Sequence, residues 1–244
     1  MKKYLLLGED AFLLYSNELI SYGFIPICLP RETRLNHVVA SHPDTIVFEA
    51  YGKLIMNREY FTQLNLPSEL AERVKCSDDT PYGDYPNDIC FNALTIGGCL
   101  VAKQSAISAD IKRLGLKAVD VKQGYARCSV LALKTFNAAV TSDKGIADML
   151  EQNDINVLRI TPGSIGLKGC DYGFIGGATF VDEEDCSCSL KSQSMSQSTV
   201  YFFGSPVLHP DRQKLLSFIE SYGYRMVFLP GILTDYGGAI VVRI

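Results

Sequence analysis

The sequence predicts one α/β domain over residues 1–244, a five-module ββαβ propeller closed by pairing of its N- and C-terminal segments. Three observations predict it. Residues 21–30, SYGFIPICLP, and 221–230, SYGYRMVFLP, share Ser-Tyr-Gly, an apolar run and Leu-Pro. The same order of helix end, Gly or Asn, then apolar strand returns in 113–124 (RLGLKAVDVKQG), 151–163 (EQNDINVLRITPG) and, more weakly, 69–77 (ELAERVKCS). The chain ends are also complementary: residues 4–7 form a lone strand before a helix, whereas 234–242 opens a hairpin that no helix follows. A fixed period, about 49 residues here, marks a repeat architecture, and a module shared between the two ends leaves no open sheet edge.

Each element has a local reason. Residues 122–150 show one module whole, with an apolar run at 128–133, a turn at Lys134, a second strand over 135–140, and helical spacing in Ile146, Ala147 and Leu150. Thr141, Ser142 and Asp143 supply oxygens for the free N–H groups of that helix's first turn. Helices are expected near 10–22, 58–65, 105–114, 142–152 and 210–222, with Asn57 capping the second and His209-Pro210 starting the last. First hairpin strands are expected to open at 43–50 (PDTIVFEA), 87–94 (NDICFNAL), 127–133 (RCSVLAL), 172–180 (YGFIGGATF) and 234–242 (TDYGGAIVV). The Ser-rich stretch 187–198 reads as an exposed hairpin tip of the last full module.

Composition narrows the function classes. A net charge of −4 without a Lys/Arg cluster argues against nucleic acid, which needs a basic face to displace counterions. No apolar run reaches the length of a bilayer span, and Glu9 and Asp10 interrupt the only run that resembles a signal segment, so a cytoplasmic protein is expected. The eight cysteines mostly sit in apolar strand patterns and are read as reduced thiols. Cys186-x-Cys188 lacks a second pair or a nearby histidine, so neither a metal nor a cofactor is expected.

Five strand-strand-helix-strand units with acids at the strand mouths resemble the pentein fold of the guanidino-group-modifying enzymes, which include arginine deiminases and amidinotransferases. More narrowly, QGYARCS at 123–129, TSDKGIA at 141–147 and YGFIGGA at 172–178 resemble an uncharacterised bacterial branch of that fold. The resemblance implies a thiolate attacking a guanidinium carbon, with a histidine and carboxylates around it, and Asp88 matches the substrate-binding aspartate. The implied histidine is missing from GFIGGATF, and Ala239-Ile240 follows Gly237-Gly238 where the implied cysteine would stand.

A ring brings the strand mouths together, which gathers Asp44, Asp88, Arg127-Cys128, Tyr172-Gly173 and Asp235 around one axial pocket. Paired carboxylate oxygens match the parallel N–H donors of an amidine, so Asp44, Asp88 and Asp235 are candidate ligands for a cationic or amino-acid-like molecule, with Gln123 and Arg127 at the rim. Asp44 and Asp235 also fit ordinary turn chemistry. Cys128 is the candidate nucleophile, its thiolate favoured by Arg127, and it also fits as a small core residue. His209 is the candidate base and His42 the alternative; both open a His-Pro-Asp string, which is equally a turn and cap signal. Gly176 and Gly177 leave room either for ligand or for close packing. Two functions follow: a small-molecule protein, as an enzyme a cysteine-dependent C–N hydrolase, or a non-catalytic partner-binding protein, as ribosome anti-association factors resembling penteins illustrate.

Overall fold

Helices alternate with short apolar strands among the described residues, and three of the helices end at a glycine. The computed structural model describes residues 1–183 and 198–244, so most of the Ser-rich stretch and both Cys186 and Cys188 lie outside the described residues. Gly23, Gly115 and Gly223 carry φ of +86°, +69° and +77° at the helix ends, where a side chain would strain the backbone. In the fourth module this role falls to Asp154, at φ +60°, and not to Asn153.

Fifteen strands among the described residues form five three-stranded sheets. The first holds β1 (Lys3–Gly8), β2 (Ile25–Leu29) and β15 (Ala239–Arg243); the second, β3 (Val47–Ala50), β4 (Lys53–Asn57) and β5 (Val74–Ser77). The third holds β6 (Leu94–Ile96), β7 (Cys99–Ala102) and β8 (Lys117–Asp120). The fourth holds β9 (Val130–Leu133), β10 (Ala138–Thr141) and β11 (Asn156–Arg159), and the fifth β12 (Thr179–Asp182), β13 (Thr199–Phe202) and β14 (Arg225–Phe228). In every sheet the middle strand runs antiparallel to one neighbour and parallel to the other. The two ends of the chain pair as expected, with Leu5 opposite Val241 and Leu7 opposite Ala239.

Helices precede the third strands. They are α1 (Glu9–Ser21), α3 (Arg58–Thr62) with α4 (Ser68–Ala71), α5 (Ala109–Lys112), α6 (Lys144–Glu151) and α7 (Arg212–Ser221), while α2 (Pro43–Ile46) is a single turn before β3. The second helix is shorter than expected, ending at Thr62, and a separate turn, α4, follows with Pro67 in its N-cap position. α5 begins only at Ser108, whose side chain accepts from Asp110 N. Asn57 and Asp143 cap as expected, accepting from Tyr60 N at 3.0 Å and Ile146 N at 2.8 Å.

The strand mouths differ from expectation in a way that matters for the site. Residues 43–46, 87–93, 126–129 and 175–178 are helical or hydrogen-bonded turns, and the strands begin only after them. Bonds such as Ser129 N to Tyr125 O (2.9 Å) and Ala178 N to Phe174 O (3.0 Å) curl these segments. Candidate residues therefore stand on turns abutting the strands.

Each buried core lies between two sheets. Met56 and Leu6 share one, Ile55 and Leu100 another, Val101 and Val130 a third, Leu131 and Phe202 a fourth, and Leu7 and Phe203 the fifth, which joins the last sheet to the first. First strands of all five sheets line one cavity of roughly 280 Å³ through Glu49, Thr95, Leu131, Phe180 and Ile240. No helix among the described residues is long and apolar enough to cross a membrane.

Leu6 is fully buried and pairs with Ile240 on one side and Ile27 on the other. Leu6→Ala should cost about 2–5 kcal/mol in urea unfolding, as deletion of a fully buried leucine side chain does. A loss below about 1 kcal/mol would mean that the paired chain ends contribute little to stability.

Candidate functional site

Three turns from distant parts of the chain meet under a cavity of roughly 550 Å³, whose lining includes His42, Gln123, Tyr125, Cys128, Phe174 and Asp235. Pro43 fixes the backbone at the start of α2, so His42 and Asp44 flank it on one turn. The 126–129 turn supplies Cys128, and the segment before β15 supplies Asp235. Donor atoms of His42, Asp44 and Cys128 all lie within 4.8 Å of one another, and all three residues are buried.

The hydrogen bonds around these groups are incomplete. Cys128 Sγ donates to Asp44 Oδ2, while Asp44 Oδ1 has no partner among the described residues. His42 Nδ1 likewise has no hydrogen bond and lies 3.9 Å from Asp235 Oδ1. Asp235 is better supplied, its two oxygens accepting from Phe174 N at 2.8 Å and Gly237 N at 2.9 Å. It therefore serves a turn and faces the cavity at once.

Burial dominates the electrostatics. It raises Asp44 to about 8, with the neighbouring Asp235 carboxylate adding to the shift. Burial, then Asp44 and Asp235, hold the Cys128 thiol well above its ordinary range. Asp235 is also raised by burial, against opposition from His42 and the two amide donors. Burial lowers His42, although Asp235 acts the other way. The expected activation of Cys128 by Arg127 is not found. Arg127 lines the cavity of roughly 280 Å³ instead, where its charge acts on Asp44, so adjacent residues of one turn serve different cavities.

The other candidates are placed as follows. Asp88 is 1% exposed and lies behind Tyr125, whose phenol donates to Asp88 Oδ2; Asp88 itself is not among the residues lining either cavity, and its Oδ1 is unpartnered. Gln123 lines the cavity and accepts from Tyr125 N at 3.1 Å. His209 lines neither cavity, and its Nδ1 accepts from Asp211 N at 3.1 Å ahead of α7. The histidine brought to Cys128 is His42. Both His-Pro-Asp strings begin helical turns, but only the first begins one beneath the cavity.

Gly176 and Gly177 meet protein where room for ligand was one expectation. A Cβ on Gly176 would fall 2.4 Å from Arg127 O, and one on Gly177 1.8 Å from Asp235 Oδ1. Sequence reasoning missed Asn92, which holds the cysteine turn: its Oδ1 accepts from Arg127 N at 2.8 Å and its Nδ2 lies 3.6 Å from Cys128 Sγ. It also missed Tyr125 and Phe174 as lining residues. An Asn four residues after Asp88, in the same strand-mouth string, was the available signal.

Two outcomes follow from this geometry. Gly177→Ala should destabilise the protein by about 1–3 kcal/mol, because the added methyl collides with a carboxylate fixed by two amides; unchanged thermal stability would show that Asp235 moves freely. Asp44 keeps its proton in the fold up to about pH 8 but loses it near 3.8 when unfolded, so folding takes up a proton in that window and the group's contribution falls as pH rises through it. Asp44→Asn removes this dependence. Urea titrations from about pH 5 to about pH 8 should therefore show the variant gaining stability relative to wild type, whereas a pH-independent difference would place the Asp44 carboxyl in its ordinary range.

One comparison with a solved structure agrees with the architecture. DDAH from Pseudomonas aeruginosa, solved as a cysteine-to-serine mutant complexed with citrulline, superposes with a TM-score of 0.53 at 11% identity over 97% of this chain and 93% of that one. A dimethylarginine dimethylaminohydrolase adduct with 4-chloro-2-hydroxymethylpyridine gives 0.49 at 12% identity, covering 94% of this chain and 93% of the other. At such identities the likeness is one of fold, a pentein-like mixed α/β architecture of five small sheets. No curated protein matches the chain's sequence. The model of the family described as "Family of unknown function (DUF6873)" matches residues 11–240, and the chain belongs to that family.

Proposed function

We propose that the five modules close as a single-domain propeller and that the cavity over Cys128 binds a small cationic molecule, guanidino- or amidine-bearing or amino-acid-like. The observation that carries this reading is the uncompensated acid cluster: Asp44, Asp235 and the Cys128 thiol are buried together, with Asp44 Oδ1 unpartnered. A buried acid without a counter-charge costs free energy, and a planar amidinium offers parallel N–H donors that offset that cost. Asp88 contributes by holding the Tyr125 phenol at the cavity wall.

The reaction that suits the arrangement is hydrolysis at a C–N bond. Cationic ligand beside the acids supplies the positive charge that Arg127 does not, and so lowers the thiol's pKa. The same charge ionises Asp44, which then takes the thiol proton; Sγ bonds to the amidine carbon, and the C–N bond breaks as the amine leaves with a proton returned from Asp44. Water deprotonated by neutral His42 then adds to the same carbon, the C–S bond breaks, and the thiol regains its proton. The alternative, a non-catalytic interaction protein, draws support from exposed Val207, Leu208 and Ile232, on segments joined by the Ser205–Ile232 bridge.

A thermal-shift series with arginine, agmatine, benzamidine and ornithine tests the proposal, since a ligand that binds only the native state raises its midpoint. At least one cation should stabilise wild type, with the shift lost in Asp44→Asn and Asp235→Asn. Cys128→Ala should keep binding and lose any release of amine. Absence of a shift from every cation would end the ligand reading and leave the interaction protein.

A further inference from the structure

The cluster beneath the cavity brings together three different donor types, a thiol, an imidazole and a carboxylate, within 4.8 Å. We infer that His42, Asp44 and Cys128 form a binding site for a zinc-class divalent ion. Two further observations point to a ligand there. His42 is 4% exposed with Nδ1 unpartnered, and Asp44 is 2% exposed with Oδ1 unpartnered, although buried polar atoms are ordinarily satisfied. His42 and Cys128 also line the larger cavity, which leaves one side of the cluster open.

Donor chemistry selects the ion class. A thiolate and an imidazole disfavour Mg²⁺ and Ca²⁺, which take oxygen ligands, and suit Zn²⁺ or its spectroscopic substitute Co²⁺. Three protein ligands with a fourth position facing a cavity is the arrangement of zinc sites that keep an exchangeable water, as opposed to closed structural sites. Asp235 Oδ1, 3.9 Å from His42 Nδ1, adds a carboxylate oxygen beside the cluster. Binding releases the thiol proton to solvent as the S–metal bond forms, and no oxidant or reductant is involved.

The test uses the full chain, freed of metal by chelator and titrated with Co²⁺ under reducing conditions without any organic ligand. One equivalent should bind and give a thiolate-to-cobalt charge-transfer band. That band should disappear in Cys128→Ser, persist in Cys170→Ser, and require at least about tenfold more metal in His42→Gln. Cys170 is the necessary control because it is exposed and lines the same cavity. Should Cys128→Ser fail to fold, one equivalent of Zn²⁺ protecting wild-type Cys128 from alkylation, read by mass spectrometry, supplies the same answer. No band and no protection, or a band that follows Cys170, overturns the site. Failure here leaves the organic-cation reading standing, and an unsuccessful amidine screen leaves this one standing.

Discussion

The pairing of the last strand with the first is the constraint on which the rest of this structure depends. β15 lies antiparallel to β1 from Lys3 opposite Arg243 to Leu7 opposite Ala239, and both strands contribute to cores shared with the neighbouring sheets. Without that ladder β1 would present an open edge. With it, Gly237 comes so close to the His42 turn that an added Cβ would lie 2.4 Å from His42 Cβ. The site is thus assembled from the second, fourth and final stretches of the chain by the same contacts that join its ends.

Close packing and incomplete polar satisfaction coexist at this point. Backbone from the 126–129 turn, the 175–178 turn and the segment before β15 interlocks through Gly177 N to Cys128 O at 2.9 Å, Tyr236 N to Gly177 O at 3.0 Å and Gly238 N to Gly177 O at 2.7 Å. These bonds hold the surrounding backbone tightly. Among the side chains gathered there, Asp44 Oδ1 and His42 Nδ1 have no partner, and burial with the two acids holds the Cys128 thiol above its ordinary range. Rigid support under under-satisfied acids is what preorganisation for the proposed cation requires, because the cost of gathering the acids is then met by folding.

The fold and the site are separable in this chain. Architecture matches a solved dimethylarginine dimethylaminohydrolase at 11% identity, yet the final hairpin carries Ala239-Ile240 where the family resemblance implies a cysteine, and GFIGGATF, where it implies a histidine, carries none. The thiol and the imidazole that do meet come instead from the fourth module's turn and from the turn before β3. Equivalent points of a repeated module approach one another, so a reactive pair can be supplied from more than one module without altering the scaffold.

The amino-acid sequence by itself determined the elements and their repeat. Gly23, Gly115 and Gly223 end helices because only glycine adopts their positive φ without strain, and the apolar runs after them have no alternative to burial. It also determined which residue types gather at the strand mouths: Asp44, Cys128 and Asp235 do converge. Tertiary structure alone decided which of them touch. Arg127 and Cys128 are adjacent in sequence but serve different cavities, because the mouth is a curled turn and not the strand that its apolar pattern suggested. His42 and His209 open the same His-Pro-Asp string, and nothing local separates them. Contacts between distant parts of the chain set His42 beside Asp235 on the cavity, while His209 lines neither cavity.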